Sequence, residues 1–412
     1  SVCLQLQIAQ LTYPAADNRV GIAQISDHVC YALLNLPDKS TPKYLHMVYR
    51  VIGTMSGSSL DGLDIAFVEL QEVSGSWSYN LRNAVCYPYE KEWTEKLSRA
   101  TALNAIDYHL LDCAYGSYCG QLINRFIQEN NIQYQVQLIS SHGHTTFHIP
   151  DKHMSCQLGN GAVIAAATGV NVVSSLRSMD VALCGQGAPI VPIGEKLLLG
   201  DYLFYLNLGG IANISLNHNS HYVAFDVCPA NKVLNLLAKE SGKNFDDGGQ
   251  LAEKGELNQT LLDILNDFEY YRMPYPKSLS NDFGTDVIFP LIHNRNADTD
   301  DDLRTYVEHI CMQVVKAVAL LQKDFSLSGE QKMLVTGGGA MNSFLIKRLT
   351  EVLQELNVYI EVPADDLIVF KEAIIMALIG VLRWREESNT LASVTGASRD
   401  SIGGCVWIGQ EA

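Results

Sequence analysis

The sequence predicts a mixed α/β protein built from two similar lobes around a cleft. Apolar stretches of strand length alternate with longer stretches of helical period, and the alternation runs through once and then repeats. Each half also opens on a glycine turn between two strands, the first from Gly53 to Asp64 and the second from Gly209 to Asn213. Two copies of a hairpin-led α/β unit bury their sheets best as two lobes, with the turns facing each other across the gap.

The elements follow in order. Val48 to Ile52 and Ile65 to Leu70 are strands on either side of the turn G-T-M-S-G-S-S-L-D-G-L-D. A strand at 79–87 precedes a helix at 108–128, whose apolar Leu111, Ala114, Tyr118, Leu122 and Phe126 recur at helical spacing. A strand at 136–140, a helix after Gly161 and a strand at 171–174 complete the half. The second half reads as strands at 202–208, 214–216 and 222–225, helices at 303–321 and 343–356, strands at 333–336 and 358–362, and a helix at 371–385. The domains expected are therefore 48–197 and 198–412, with the C-terminal segment packing back on the first lobe. Residues 1–47 stand apart. They begin without Met, lack the basic start of a signal peptide and contain the loop-like run Pro37 to Lys43, so the working chain is expected to begin at Met47 behind an appendage.

Composition narrows the function. Of 412 residues, 47% are hydrophobic and 18% charged, as in a globular protein, and the formal net charge of −16 would repel a nucleic-acid backbone. Ten cysteines lie scattered without a C-x-x-C pair, which suits reduced thiols rather than a disulfide framework or a zinc ribbon. No apolar run reaches the ~18 residues of a membrane span; the longest, Ala373 to Leu382, lies between Glu372 and Arg383. A cytoplasmic location is expected.

Several segments could carry chemistry. The first turn holds two carboxylates and three serines in twelve residues, suited to a phosphate or a metal as readily as to closing a hairpin. It is not a Walker A loop, because Leu63-Asp64 follows where Lys-Ser/Thr would stand. L-N-L-G-G-I-A-N (206–213) and L-V-T-G-G-G-A-M-N (334–342) are strands running into glycines, and the helix near Ser343 would aim its N-terminal dipole at a ligand. In R-S-M-D-V-A-L-C-G-Q-G-A-P (177–189), Asp180 is placed either as a general base or as a helix cap, with Arg177 able to hold an anion. The H-x-H of S-H-G-H-T-T-F-H (141–148) would put His142 and His144 on one strand face with His148 nearby, for zinc, substrate hydrogen bonding or packing.

These motifs, in this order and together with K-E-A and V-T-G-A, resemble the anhydro-N-acetylmuramic acid kinase family over residues from about 48 to the C-terminus. The resemblance implies the two-lobed actin-like ATPase fold, with duplicated ribonuclease-H-like units around a central ATP cleft. It implies phosphorylation of 1,6-anhydro-N-acetylmuramic acid at O6 as water opens the anhydro ring, using ATP and Mg²⁺. Gly57, Ser58, Ser59, Leu60, Asp61, Gly62, Leu63 and Asp64 match the ATP phosphate segment, Gly209, Gly210 and Asn213 the second phosphate loop, and Gly337, Gly338, Gly339 and Asn342 the adenosine side. Asp180 matches the catalytic aspartate, while Arg177, His144 and Glu372 match positions near the sugar. The chain departs from the family pattern at Ser175 (usually Asp), at His144 (usually Gln) and at Cys184 (usually Gly). The partners expected are the anhydro amino sugar and ATP, without nucleic acid or membrane, and a homodimer is the assembly to test. The alternatives are a kinase of the same fold with another acceptor, a zinc hydrolase on His142, His144 and His148, and a silent nucleotide-binding protein.

Overall fold

The opening run V-Y-R-V-I-G-T-M-S forms β1 (Val48–Ser56), which returns through the first glycine turn as β2 (Gly62–Val73) and again as β3 (Ser76–Pro88). The computed structural model describes residues 47–409 except 58, 220, 281 and 296, so the expected extension and Ser58 lie outside the described residues. The first half continues through α1 (Lys91–Ser98), α2 (Ala105–Glu129), β4 (Leu138–Ile149), β5 (Met154–Leu158), α3 (Gly161–Thr168), β6 (Val172–Ser174), α4 (Ser178–Ala182) and α5 (Pro192–Leu198). The second half comprises β7 (Phe204–Leu208), β8 (Ile211–His218), β9 (His221–Pro229), α6 (Asn231–Glu240), α7 (Gln250–Lys254), α8 (Gln259–Asn266), α9 (Phe289–His293), α10 (Thr299–Asp324), β10 (Gln331–Thr336), α11 (Ser343–Gln354) and β11 (Val358–Glu361). The chain ends with α12 (Asp365–Trp384), α13 (Ala392–Thr395) and β12 (Cys405–Trp407).

Two sheets carry one plan twice. In the first, β3, β2 and β1 form an antiparallel meander, and β4 and β6 add in parallel beside β1. In the second, β9, β8 and β7 form the meander, and β10 and β11 add in parallel beside β7. The first sheet gains β5 on β4 and β12 on the free side of β6. The repeated α/β unit expected from the sequence is present.

α12 links the two sheets. It is apolar almost all round, the signature of a buried helix, and its core cluster takes in Val51 and Ala66 of the first sheet and Tyr205 and Leu334 of the second. Its approach to β1 is so close that a Cβ on Gly53 would stand 1.9 Å from the Ala373 carbonyl oxygen. The apolar run that fell short of a membrane span is thus an interior helix, and no helix among the described residues is long and apolar enough to cross a membrane.

Some elements differ from expectation. β4 runs through the H-x-H segment instead of ending before it, because β5 pairs with its second half. α12 begins six residues earlier than its apolar period indicates, since its first turn is the acidic Asp365-Asp366 pair, favourable at a helix N-terminus. Residues 231–298 hold four helices that sequence reading left blank, three of them of eight residues or fewer and too short to display a period.

Candidate functional site

α4 follows β6 after a single turn, and its third residue, Asp180, sits in a cradle with no exposed surface. Thr395 Oγ1 donates to Oδ1 at 2.7 Å, and the Gly187 backbone N–H donates to Oδ2 at 2.7 Å. Gly185 passes so near that a Cβ there would lie 2.3 Å from Oδ2. Asp180 does not cap α4 through its side chain; its carboxylate is turned to the 183–187 turn and to α13.

Arg177 stands one turn before Asp180. Its Nη1 donates to the Gly187 carbonyl at 2.6 Å, and its Nε donates to His142 Nε2 at 2.8 Å. Burial lowers the guanidinium to about 10, with Glu372 and Asp180 working against the shift, so it stays cationic at neutral pH. His142 consequently carries its proton on Nδ1, which donates to the Gly143 carbonyl at 2.9 Å. Burial, then the Arg177 charge, pushes His142 down to about 3.

His142 and His144 are both buried and within electrostatic reach of each other, with an irregular strand between them. Gly143 has φ +75°, and the β1–β4 register shifts between Thr54 and Ser56, interrupting the alternation. His144 Nδ1 pairs with Ser56 Oγ at 3.1 Å, whereas His148 is at the edge with Ser155. Both ring nitrogens of His142 are engaged, and no group of three or more His, Cys, Asp or Glu among the described residues is arranged to hold a metal ion.

The first turn supplies the next wall. Leu60 adopts φ +60°, its N–H meeting the Gly57 carbonyl, while Ser59 and Asp61 are exposed. Gly62 is demanded by packing, for a Cβ would lie 2.4 Å from the Tyr87 carbonyl oxygen. Leu63 points into the core, so only its main chain could meet a ligand. Asp64 lies across β2–β3 from Cys86, whose thiol hydrogen-bonds it. Burial raises this carboxylate to about 6; the Cys86 bond opposes the rise, and Glu372 and Asp61 add to it. Glu372, on α12, therefore lies within electrostatic reach of both Asp64 and Arg177.

A second cluster forms where β7 and β10 end and α6 begins. The Gly210 carbonyl accepts from the Ala230 N–H at 2.8 Å and the Gly209 carbonyl from Asn231 N–H at 3.1 Å, seating the turn on the start of α6. Gly337 has φ +81°, and a Cβ there would meet Asn207 Oδ1 at 2.7 Å; one on Gly339 would meet Leu208 Cβ at 2.6 Å. Gly209, Gly210 and Gly337 to Gly339 are thus neighbours. Asn342 caps α11 by accepting from the Leu345 N–H, and it abuts Gly249 of the Asp247–Gly249 turn. Asn213 faces Asp226 across β8–β9, and burial raises Asp226 to about 6 despite the Leu279 N–H that binds it.

Lys371 joins the clusters. Fully within the protein, it donates to Thr336 Oγ1 at 2.6 Å and to Glu195 Oε1 at 3.1 Å, while Glu195 Oε2 accepts from Tyr222. Thr336 precedes Gly337 and Lys371 precedes Glu372, so the carboxylate side and the glycine side share one anchor. Sequence reading missed Thr395, Gly187, Asp226, Lys371 and the Asp247–Gly249 turn. The motifs V-T-G-A and K-E-A were visible signals for Thr395 and Lys371, and F-D-V-C-P-A-N after a strand was one for Asp226.

Comparison with known proteins identifies the family. A family model described as anhydro-N-acetylmuramic acid kinase matches residues 49–409. A protein of that description from Synechococcus elongatus (strain ATCC 33912 / PCC 7942 / FACHB-805) is 32% identical over 388 residues, covering 87% of this chain and 99% of its own. Another, from Vibrio parahaemolyticus serotype O3:K6 (strain RIMD 2210633), is 31% identical over 360 residues, covering 84% and 95%. Among solved structures, the activator of the 2-hydroxyisocaproyl-CoA dehydratase from Clostridium difficile with bound ADPNP is 15% identical with a TM-score of 0.37, covering 82% of this chain and 96% of that one, a likeness that carries no argument here.

Proposed function

The chain belongs to the anhydro-N-acetylmuramic acid kinase family, and from that premise we propose how its own residues carry out the reaction. It is an ATP-dependent kinase of 1,6-anhydro-N-acetylmuramic acid acting in cell-wall sugar recycling. In our reading, water adds at C1 of the sugar as the C1–O6 bond breaks, and the released O6 attacks the γ-phosphoryl of ATP to give N-acetylmuramic acid 6-phosphate.

Asp180 is the base that takes the proton from that water. Each of its oxygens has accepted one hydrogen bond and keeps a second lone pair. Having no exposed surface, it reaches the sugar only when the 183–187 turn above it yields, which keeps it from bulk water at other times. Arg177 remains cationic beside it and holds the carboxylate or a sugar oxygen, with Glu372 and His144 on the acceptor side.

ATP takes the glycine turns. Gly57, Ser59 and Asp61 with the Gly209-Gly210 turn approach the phosphates, while Gly337 to Gly339 and Asn342 border the nucleoside. Asp64 and Glu372 fit Mg²⁺, since two neighbouring carboxylates that repel each other supply the hard oxygens this ion takes alongside phosphates and water. When bound, the ion would neutralise phosphate charge. We read its location as cytoplasmic, since the reaction draws on ATP.

The observation that carries the reading is the junction of the Asp180–Arg177–Glu372 group with the Gly337 turn through Lys371. Asp180→Asn should lower turnover by roughly 10³-fold or more while ATP still binds. The measurement is ADP release coupled to mass analysis for combined addition of water and phosphate. Near-normal turnover in this variant would remove Asp180 from the role of base.

A further inference from the structure

We propose that Thr395 is a positioning residue for catalysis: its hydroxyl, delivered from the C-terminal segment, aims the Asp180 carboxylate at the attacking water. The proposal rests on Asp180 being the base. Asp180 and Thr395 are 215 residues apart in sequence, yet their side chains meet at 2.7 Å with both residues buried.

The contact is made by a built structure. α13 ends at Thr395, and Gly396, at φ +77°, turns the chain so that the Ala397 N–H points back to Thr395 Oγ1 at 3.4 Å. The hydroxyl thus receives one hydrogen bond while giving another, an arrangement in which each polarises the next. Leu391 O offers the hydroxyl a second acceptor at 3.3 Å, but the carboxylate is nearer and charged. Two main-chain bonds hold the segment over the base: Gln186 N–H donates to the Thr395 carbonyl at 2.8 Å, and Ser398 N–H donates to the Leu183 carbonyl at 3.0 Å.

The geometry divides the labour on the carboxylate. Gly187 N–H fixes Oδ2 from the covering turn, and the Thr395 hydroxyl fixes Oδ1 from the C-terminal segment. With one donor on each oxygen the carboxylate plane is fixed, and the Thr395 half of that clamp comes from a side chain that substitution can remove. The hydroxyl donates to the base without touching sugar or phosphate.

The test compares Thr395→Val, which keeps shape and loses the donor, with Thr395→Ser, which keeps the donor. For a hydrogen bond to a charged group, Thr395→Val should lower kcat by about 10- to 100-fold, with the KM for ATP unchanged, and Thr395→Ser should recover most of the turnover. Thr395→Ala reads the same loss if the valine variant does not fold. Equal kcat in the hydroxyl-less and serine variants, or a loss that follows the melting temperature alone, would overturn the proposal. If Asp180→Asn retains turnover, the base assignment fails; if only the Thr395 variants do, the positioning role fails.

Discussion

His142 and His309 are both stripped of charge by the fold, and for the same reason. His309 sits in α10 with Asn266 Oδ1 at 2.9 Å from Nδ1 and the Tyr271 hydroxyl at 3.1 Å from Nε2, which fixes a neutral ring. Burial, then Lys316, lowers it to about 3, below the unfolded value near 6.5. Below pH 6.5 the unfolded chain binds a proton that the native state refuses, so stability is lost as pH falls towards 3. The advantage of wild type over His309→Gln should shrink by about 1.4 kcal/mol per pH unit below 6.5. Urea titrations at pH 7 and 5.5 measure it, and the difference cancels the opposing carboxylates Asp64 and Asp226, which rise to about 6 and favour the native state as pH falls. The same scale explains why residue roles were only partly legible. Asp180 and Arg177 stood out in one motif whose role came from the family resemblance, whereas V-T-G-A flagged Thr395 without its partner, which lies 215 residues away. Cys184 and Ser175 hold φ +66° and +56°, so two of the three departures from the family pattern sit in the left-handed region, where glycine costs least.

Among the elements, α12 is the most constrained. Gly53 of β1 and Gly380 of the helix let it rest on the first sheet, and a Cβ on Gly380 would stand 2.5 Å from Ser140 Cβ. Its Lys371–Glu195 pair is buried at both ends, 5% and 4% side-chain exposure, so removing one partner strands the other charge. Lys371→Met should cost about 3–5 kcal/mol, and Lys371→Met with Glu195→Gln should recover more than half. Chemical denaturation of the two variants decides it; equal losses would show that the charge is not the cause. Long periodic helices such as α2 and α10 were legible because several turns display their buried face, and β1 and β2 because a polar glycine turn separates apolar runs. The continuation of β4 was not, since it depends on pairing with β5, a tertiary fact.

At the scale of the molecule, the duplicated sheets share one interior. The cluster around α12 draws on both, so a nucleotide held by the glycine turns of both should be sensed by both. At a concentration about 100 times its Kd, ATP should raise the unfolding free energy by about 2.7 kcal/mol. Hydrogen exchange should slow at residues 53–64 and 337–341 together; slowing at one turn alone would mean that the other does not take nucleotide. The duplication was legible because each half repeats a hairpin-led order, but the tie between halves was not, as Lys371, Thr336 and Glu195 lie far apart in the chain.

The first sheet is completed by a strand that follows its other strands by more than 200 residues. β12 pairs with β6 only after Cys405 to Trp407 exist, and Trp407 Nε1 then donates to Ser174 Oγ at 2.9 Å. α12 and Thr395 also arrive late. During synthesis, a ribosome that has released residues 48–197 has made β1 to β6 of this sheet, but its β1 and β4 face lacks its covering helix and Asp180 lacks Thr395. A chain terminated before Thr395 would expose apolar strands to chaperones and proteases without possessing an oriented base, so translation through β12 doubles as the condition for a competent enzyme.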